Sequence, residues 1–446
     1  MTSVLPATVT SPWRGRHGRT TVGVFSLAFL FAFEALAVAT VMPDVAEELD
    51  GLRWYAVAFA APLAAAVVAL PVTGAAVDRL GPGPALRRGL VVFCVGVVVA
   101  GLAPSMPVFL LGRLVHGYGG GVLGVALYVL IAQTYPEHLR PRVFAVLTMG
   151  WVLPALVGPV IAARVADTVG WRWVFLGVPV LAVAAWLLVA DAPSRATPAR
   201  PQPGRLPFAL LAAGGVLLVS VAGQRALPLW PLLVVAGLAA IVAGGARLLP
   251  PRVWTLRAGL PAVLGTRAAA GTAFAAAEVY LPLLLTLERD LTLTRAGWVL
   301  TVGAVTWSGG AVLAARWSVL ADQAGRVRLG AALLGAGIGG FALVSVPAVP
   351  LVVPVLAWGC AGLGIGMAFP TLSVLALATA TEGEEGRTSS ALQLSDYLAT
   401  SAGVALGGVL FAGFAETAPV PAATALVVAA AVLGLLALVP ARRLHA

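Results

Sequence analysis

Thr21 to Pro43 reads TVGVFSLAFLFAFEALAVATVMP, about twenty apolar residues with one carboxylate, Glu34, near their middle. A run this long and this apolar spans a hydrocarbon core as a helix. An acid at that depth is costly unless it faces protein or water, so Glu34 is either a working group of a pathway or a structural acid paired inside a helical bundle.

The rest of the chain extends the pattern. Its 446 residues are 60% hydrophobic and 10% charged, against about 25% charged for a water-soluble globule. The composition predicts an all-α polytopic membrane protein. No lysine or asparagine occurs, so all 28 basic residues are arginine. The net charge of +10 does not point to nucleic acid, because the arginines sit in short loops between apolar runs, where their side of the membrane carries the information. Cys94 and Cys360 fall in separate apolar runs without CxxC spacing, which predicts packing residues, no disulfide and no metal site. The first run lacks a cleavage signal after it and reads as a retained helix.

In order, the pattern predicts a cytoplasmic tail over 1–20, a six-helix bundle over 21–190, a Pro, Ser and Arg-rich cytoplasmic linker over 191–205 and two extra transmembrane helices over 206–247. A cytoplasmic connector over 248–258, a second six-helix bundle over 259–440 and a tail over 441–446 follow. Alternate loops hold most of the arginines, whereas the opposite loops include the acidic segment Asp44, Glu47, Glu48 and Asp50. Both termini are therefore expected in the cytoplasm, with an even number of spans.

An internal repeat supports two like halves. Glu34, Trp54 and Asp78 recur 244 positions later as Glu278, Trp298 and Asp322. At an offset of 245, Gly117, Gly119 and Gly121 match Gly362, Gly364 and Gly366, Arg142 matches Arg387, and Gly158 matches Gly403.

These residues resemble the major facilitator superfamily, and within it the fourteen-helix drug/proton antiporter group. Glu34 with Pro43 resembles the first-helix signature of an acid followed by A-L-P. Gly74, Asp78, Arg79 and Gly81 resemble the G-x-x-x-D-R-x-G loop, and Arg113 with Gly117, Gly119 and Gly121 resembles the fourth-helix R-x-x-q-G-x-g motif. Gly158-Pro159 resembles the antiporter motif G-P-x-x-G-G, and Gly170 to Phe175 resembles the segment that follows it. The chain departs from these patterns at Glu34, where Asp is usual, at Leu36 for Thr, at Pro82-Gly83 for a basic pair, and at Ala162-Ala163 for Gly-Gly. The resemblance implies the major facilitator fold: two pseudo-symmetric six-helix bundles plus a two-helix insertion, fourteen transmembrane helices in all.

Proton coupling is expected at Glu34 with Arg113 and Glu278. Glu278 is a second carrier, the partner of a cationic substrate, or a structural acid bonded to a nearby Tyr or Arg. The family implies that Arg113 helps Glu34 release its proton, although bonding to helix carbonyls would hold it equally well. His116, one turn on, is a packed imidazole or a relay. The expected substrate cavity holds Glu34, Glu278, Phe33, Tyr280, Gln393 and Asp396, with Asp396 either lining it or capping its helix with Arg387. Gly74, Asp78, Arg79, Gly81, Asp322 and Arg326 form the expected cytoplasmic gate, a pair of charged latches that open as the halves rock.

No nucleotide-binding P-loop and no hydrolase or metalloprotease motif occurs, so the chain is expected to be no enzyme and to need no cofactor beyond a proton gradient. The expected function is proton-coupled export of small lipophilic molecules, neutral or cationic, such as drugs or antibiotics, by alternating access, by a monomer in the cytoplasmic (inner) membrane. The alternatives are a proton-driven symporter that imports a metabolite and a membrane scaffold or receptor that transports nothing.

Overall fold

The computed structural model describes residues 11–136, 139–195, 205–223, 229–250, 253–316, 322–379 and 385–444. Among them fourteen long helices follow one another, with no strand. The first six are α1 (Gly15–Glu48), α2 (Val57–Leu80), α3 (Pro82–Gly101), α4 (Met106–Thr134), α5 (Arg140–Val169) and α6 (Arg172–Leu187). A hairpin of α7 (Arg205–Ala222) and α8 (Trp230–Leu248) leads to the last six: α9 (Leu260–Arg289), α10 (Leu293–Arg316), α11 (Gln323–Phe341), α12 (Val352–Ala378), α13 (Glu385–Ala412) and α14 (Pro419–Leu436). A short turn, α15 (Leu438–Ala441), closes the chain's described part. Twelve of these helices are individually long and apolar enough to cross a membrane, and α5 and α6 pass the same test as a pair bent by 119°. The 30 residues of α5 reach about 45 Å at 1.5 Å per residue, enough to cross alone. The architecture agrees with the fourteen helices expected.

Two boundaries differ from the expectation for identifiable reasons. α1 starts at Gly15 rather than at 21, because Arg19 in its first turns donates to the Leu187 carbonyl at 2.6 Å and pairs with Asp191 at 3.2 Å. It also runs on past Pro43 to Glu48, whose carboxylate accepts from Trp171 Nε1 at 2.6 Å and from Arg172. Gly170, at φ +96°, makes the sharp turn that brings Trp171 and Arg172 to that carboxylate.

The repeat in the sequence is a repeat of packing. A Cβ on Gly117 or Gly121 would press on the α2 backbone, 2.2 Å from Pro62 Cα and 3.1 Å from Ala66 Cα, whereas one on Gly119 would meet Phe93 N of α3 at 2.3 Å. In the second half Gly362 and Gly366 press on α10, at Gly303 O and Trp307 O, and Gly364 presses on α11 at Gly330 O. In each half, two glycines a turn apart admit one neighbour and the glycine between them admits the other, the small-residue contact that lets membrane helices approach closely.

The halves meet along two seams, α2 against α13 and α5 against α10. α7 packs on both α2 and α13, so the hairpin covers the first seam. At the end of the molecule where α1 finishes, here the far end, the seams are shut. Arg53 pairs with Glu416 at 2.7 Å, Thr294 donates to Asp167, and Gly297 sits on the Pro159 carbonyl. Tyr55, Tyr280 and Phe411 form an aromatic cluster between the halves, with Tyr55 and Tyr280 stacked 6.3 Å apart.

Candidate functional site: a central cavity between the halves

Behind the aromatic cluster lies a cavity of about 230 Å³, walled by α1, α2, α4, α9 and α13 and therefore by both halves. Most of its wall is apolar, including Phe31, Phe59 and Val279. The polar wall groups are Arg113, His116, Glu278, Tyr397 and Thr400.

Glu34 stands behind this wall. It is 2% exposed and fourteen residues short of the end of α1, deeper than its distance from Pro43 suggests. Arg113, reaching over from α4, donates to Glu34 Oε1 and through Nε to the Ala58 carbonyl at 3.1 Å. His116 Nε2 lies 2.6 Å from Glu34 Oε2, off the line of a hydrogen bond, since both atoms lack an aligned partner. Arg113 Nη1 is 3.4 Å from His116 Nδ1. Arg113 carries no proton it can lose, so a neutral His116 accepts at Nδ1 and carries its own proton on Nε2, facing the carboxylate. A buried carboxylate, a fixed cation and an imidazole thus form one cluster, and only the last two touch the cavity.

Glu278 is placed differently. It faces the cavity directly, and among the described residues no hydrogen bond or ion pair holds its carboxylate. The structural reading, a bond to a nearby Tyr or Arg, is not what the geometry gives. Pro282, four residues on, also leaves the Glu278 carbonyl without its intrahelical donor.

Several expected cavity residues lie elsewhere. Tyr280 is 2% exposed and belongs to the far-end cluster. Two residues along a helix turn by about 200°, so Glu278 and Tyr280 necessarily face opposite ways. Phe33 stacks on Phe29 beside Gly158 of α5, and Phe31 takes the cavity wall instead. Gln393 is half-buried one turn from the wall residue Tyr397. Asp396 is bound by Arg267 of α9 at 2.7 Å, an arginine that no motif singles out. Arg387's side chain lies outside the described residues.

The expected gate is also altered. Asp322 does not pair with Arg326: it caps α11, accepting from Ala324 N at 2.9 Å, while Arg326 donates to the Ala314 carbonyl of α10 at 2.7 Å. Asp78's side chain lies outside the described residues, Gly74 is in α2 and Arg79 is exposed. Gly81, at φ +78°, ends α2. The Pro82-Gly83 departure has a structural use, because Gly83 N donates to Ser194 Oγ at 2.9 Å and Gln133 exchanges two 2.9 Å bonds with the Arg195 backbone. The start of the linker is thereby fastened to this loop. Of the antiporter motif, Gly158 faces Phe33 and Pro159 receives Gly297 across the α5/α10 seam.

Two helical halves packed around a central cavity lined by both are the architecture of a multi-pass membrane transporter. The family model described as "Major Facilitator Superfamily" matches residues 24–404, and the chain belongs to that family. Among its relatives is a "probable multidrug-efflux transporter" of Mycobacterium tuberculosis, 28% identical and covering 91% of this chain and 90% of the relative. "Multidrug resistance protein 3" of Bacillus subtilis is 25% identical over 38% of this chain and 33% of its own length. The fold matches solved structures of an auto-inhibited POT family peptide transporter, at TM-score 0.70, 15% identity and coverage of 96% and 98%, and of a D-xylose-proton symporter, at TM-score 0.66, 15% identity and coverage of 94% and 97%.

Proposed function

We propose that the chain is a proton-coupled antiporter that exports small lipophilic cations, as a monomer, across a cytoplasmic membrane with both termini in the cytoplasm. The observation that carries this reading is the unequal placement of the two repeated acids: Glu34 is held by Arg113 and His116, whereas Glu278 stands open to the cavity. With both acids ionised, two negative charges face one fixed positive charge. A bound cation or a bound proton restores neutrality, and having both in a poorly solvated cavity is unfavourable. That exclusion is the essence of exchange.

The coupled proton is assigned to Glu34. His116 touches both the carboxylate and the cavity, so it supplies the proton's route as a relay. Protonation of Glu34 frees Arg113 from its ion pair, and the guanidinium then repels a cation held at Glu278. Deprotonation restores the pair and readmits the cation. The cavity is below the about 300–1,000 Å³ of a drug-sized site, and the far end is shut, which fits one state of alternating access. The efflux names among the relatives favour export over import. The experiment is pH-gradient-driven export of a lipophilic cation, tetraphenylphosphonium, from proteoliposomes, compared with Glu34→Gln: the parent should accumulate it uphill and the variant should not.

A further inference from the structure

The second half has a charge cluster of its own that the cycle above does not use. Arg267 Nε donates to Asp396 Oδ2 at 2.7 Å, and its Nη1 donates to the Phe369 carbonyl at 3.1 Å and to Ser373 Oγ at 2.8 Å. The guanidinium carbon lies 4.3 Å over the Phe369 ring. Asp396 Oδ1, also buried, has no hydrogen-bond partner. The next residue, Tyr397, is part of the cavity wall.

This arrangement matches the one around Glu34 in two respects, although it has no imidazole beside it. In both, an arginine from a neighbouring helix holds one carboxylate oxygen and is itself anchored on a helix carbonyl, Ala58 for Arg113 and Phe369 for Arg267. In both, the other carboxylate oxygen lacks an aligned donor, Oε2 in Glu34 and Oδ1 in Asp396. The second cluster is not a copy made by the repeat. At the offset of 245, Asp396 corresponds to Trp151 and Arg113 to Trp358. A purely structural ion pair is expected to satisfy all its buried oxygens, because an unsatisfied one costs about 1–3 kcal/mol. A proton-accepting site needs one free.

We propose that Asp396, directly behind the wall residue Tyr397, is a second proton-exchanging carboxyl, with Arg267 as the fixed counter-charge of its ionised form. This rests on the proton-coupled reading above and extends it from one exchanging acid to two. A proton from water adds to Oδ1, and Asp396 passes from charge −1 to 0. Arg267 keeps its proton and its bonds to Phe369 and Ser373, so the wall gains one positive charge beside Tyr397. Loss of the proton to water restores the neutral pair. Arg267 is the charged group facing Asp396. Tyr397 on α13 is its titratable neighbour, Tyr128 on α4 stands by Arg267 and Tyr397, and α12 contributes the uncharged Ser373 and Phe369. Arg267 lies three helical turns from Glu278 on the same face of α9, so the added charge acts on the same cavity that holds the cation.

The test needs no transported substrate. Infrared difference spectra of the full chain in lipid vesicles, recorded as pH falls from about 9 to about 5, report each carboxyl as it takes up its proton, and a pH-indicator dye counts the protons bound. The expected result is one carboxyl band missing in Asp396→Asn, with up to one proton fewer bound per molecule, and the same band present in Glu34→Gln and Glu278→Gln. Asp396→Glu should displace the band without removing it. The double variant Arg267→Gln/Asp396→Asn removes both charges, so it should keep the fold and still lack the band. Spectra and proton counts like the parent's in both Asn variants would overturn the proposal. Uphill export by Glu34→Gln would instead remove the assignment of the coupled proton to Glu34 and leave the Asp396 result standing.

Discussion

Arg113 on α4 holds Oε1 of Glu34 on α1 beside the His116 ring, which lies against Oε2, while its Nε is tied to the Ala58 carbonyl of α2. One guanidinium therefore joins three helices of the first half. Arg113→Leu leaves a buried carboxylate without its cation, which costs about 3–5 kcal/mol where such pairs are broken from one side. The double variant Glu34→Gln/Arg113→Leu should recover much of that loss, because no buried charge remains. Thermal unfolding of the purified proteins measures both, and equal losses in the single and double variants would mean that the pair is not coupled.

Gly117 sits where a Cβ would come within 2.2 Å of Pro62 Cα, whereas Gly124, two turns along the same helix, has nothing within 4 Å of that position. Gly117→Val should prevent α4 from closing on α2 and abolish the folded species, and Gly124→Ala should be neutral. Fluorescence-detected size exclusion of the two variants compares them directly. A monodisperse Gly117→Val protein at the parent's yield would contradict the packing described.

The Arg53–Glu416 pair joins the halves at the far end and is largely exposed, at 50% and 63% of its side chains. Exposed pairs contribute about 0.2–1 kcal/mol, so Arg53→Ala should shift the balance toward far-end-open molecules by about 1.4-fold to 5-fold without unfolding anything. Distance distributions between spin labels at Leu52 and Thr417 measure that shift. Identical distributions in parent and variant would remove the pair from the latch.

Much of this was legible in the sequence because membrane helices declare themselves by length, and because two acids, a Trp and three glycines recur at nearly one offset. Glu34 could be found for the same reason, as the lone acid of an apolar run. Its partner His116 could be found only as a neighbour of Arg113, since one helical turn does not say which way a ring points. Tyr280 was misplaced by nearness in sequence, which a 100° step per residue would have corrected. The Arg267–Asp396 pair spans 129 positions and three-dimensional packing alone joins it. The repeat of Asp78 in a charged loop suggests a latch at Asp322, but an Asp just before a helix is equally a cap.

The arginine distribution predicts an orientation that can be checked on residues at opposite ends. Single cysteines at Ser194, beside the Gly81–Gly83 loop, and at Glu416, in the far-end pair, should react with an impermeant maleimide from opposite sides of intact cells. Labelling of Glu416Cys from outside and of Ser194Cys only after permeabilisation is the expected outcome; the reverse pattern would invert the topology.

Glu34→Gln keeps the shape and hydrogen-bonding capacity of the side chain but cannot exchange a proton, and Glu278→Gln removes only the open counter-charge. The direct measurement is uphill export driven by an imposed pH gradient, run on the parent and both variants in the same vesicles, with passive exchange measured alongside. The account predicts that Glu34→Gln loses gradient-driven accumulation of the cation and binds it more weakly, because Arg113 stays unpaired, and that Glu278→Gln weakens binding of the cation because the open counter-charge is gone. Undiminished uphill export by Glu34→Gln would contradict it.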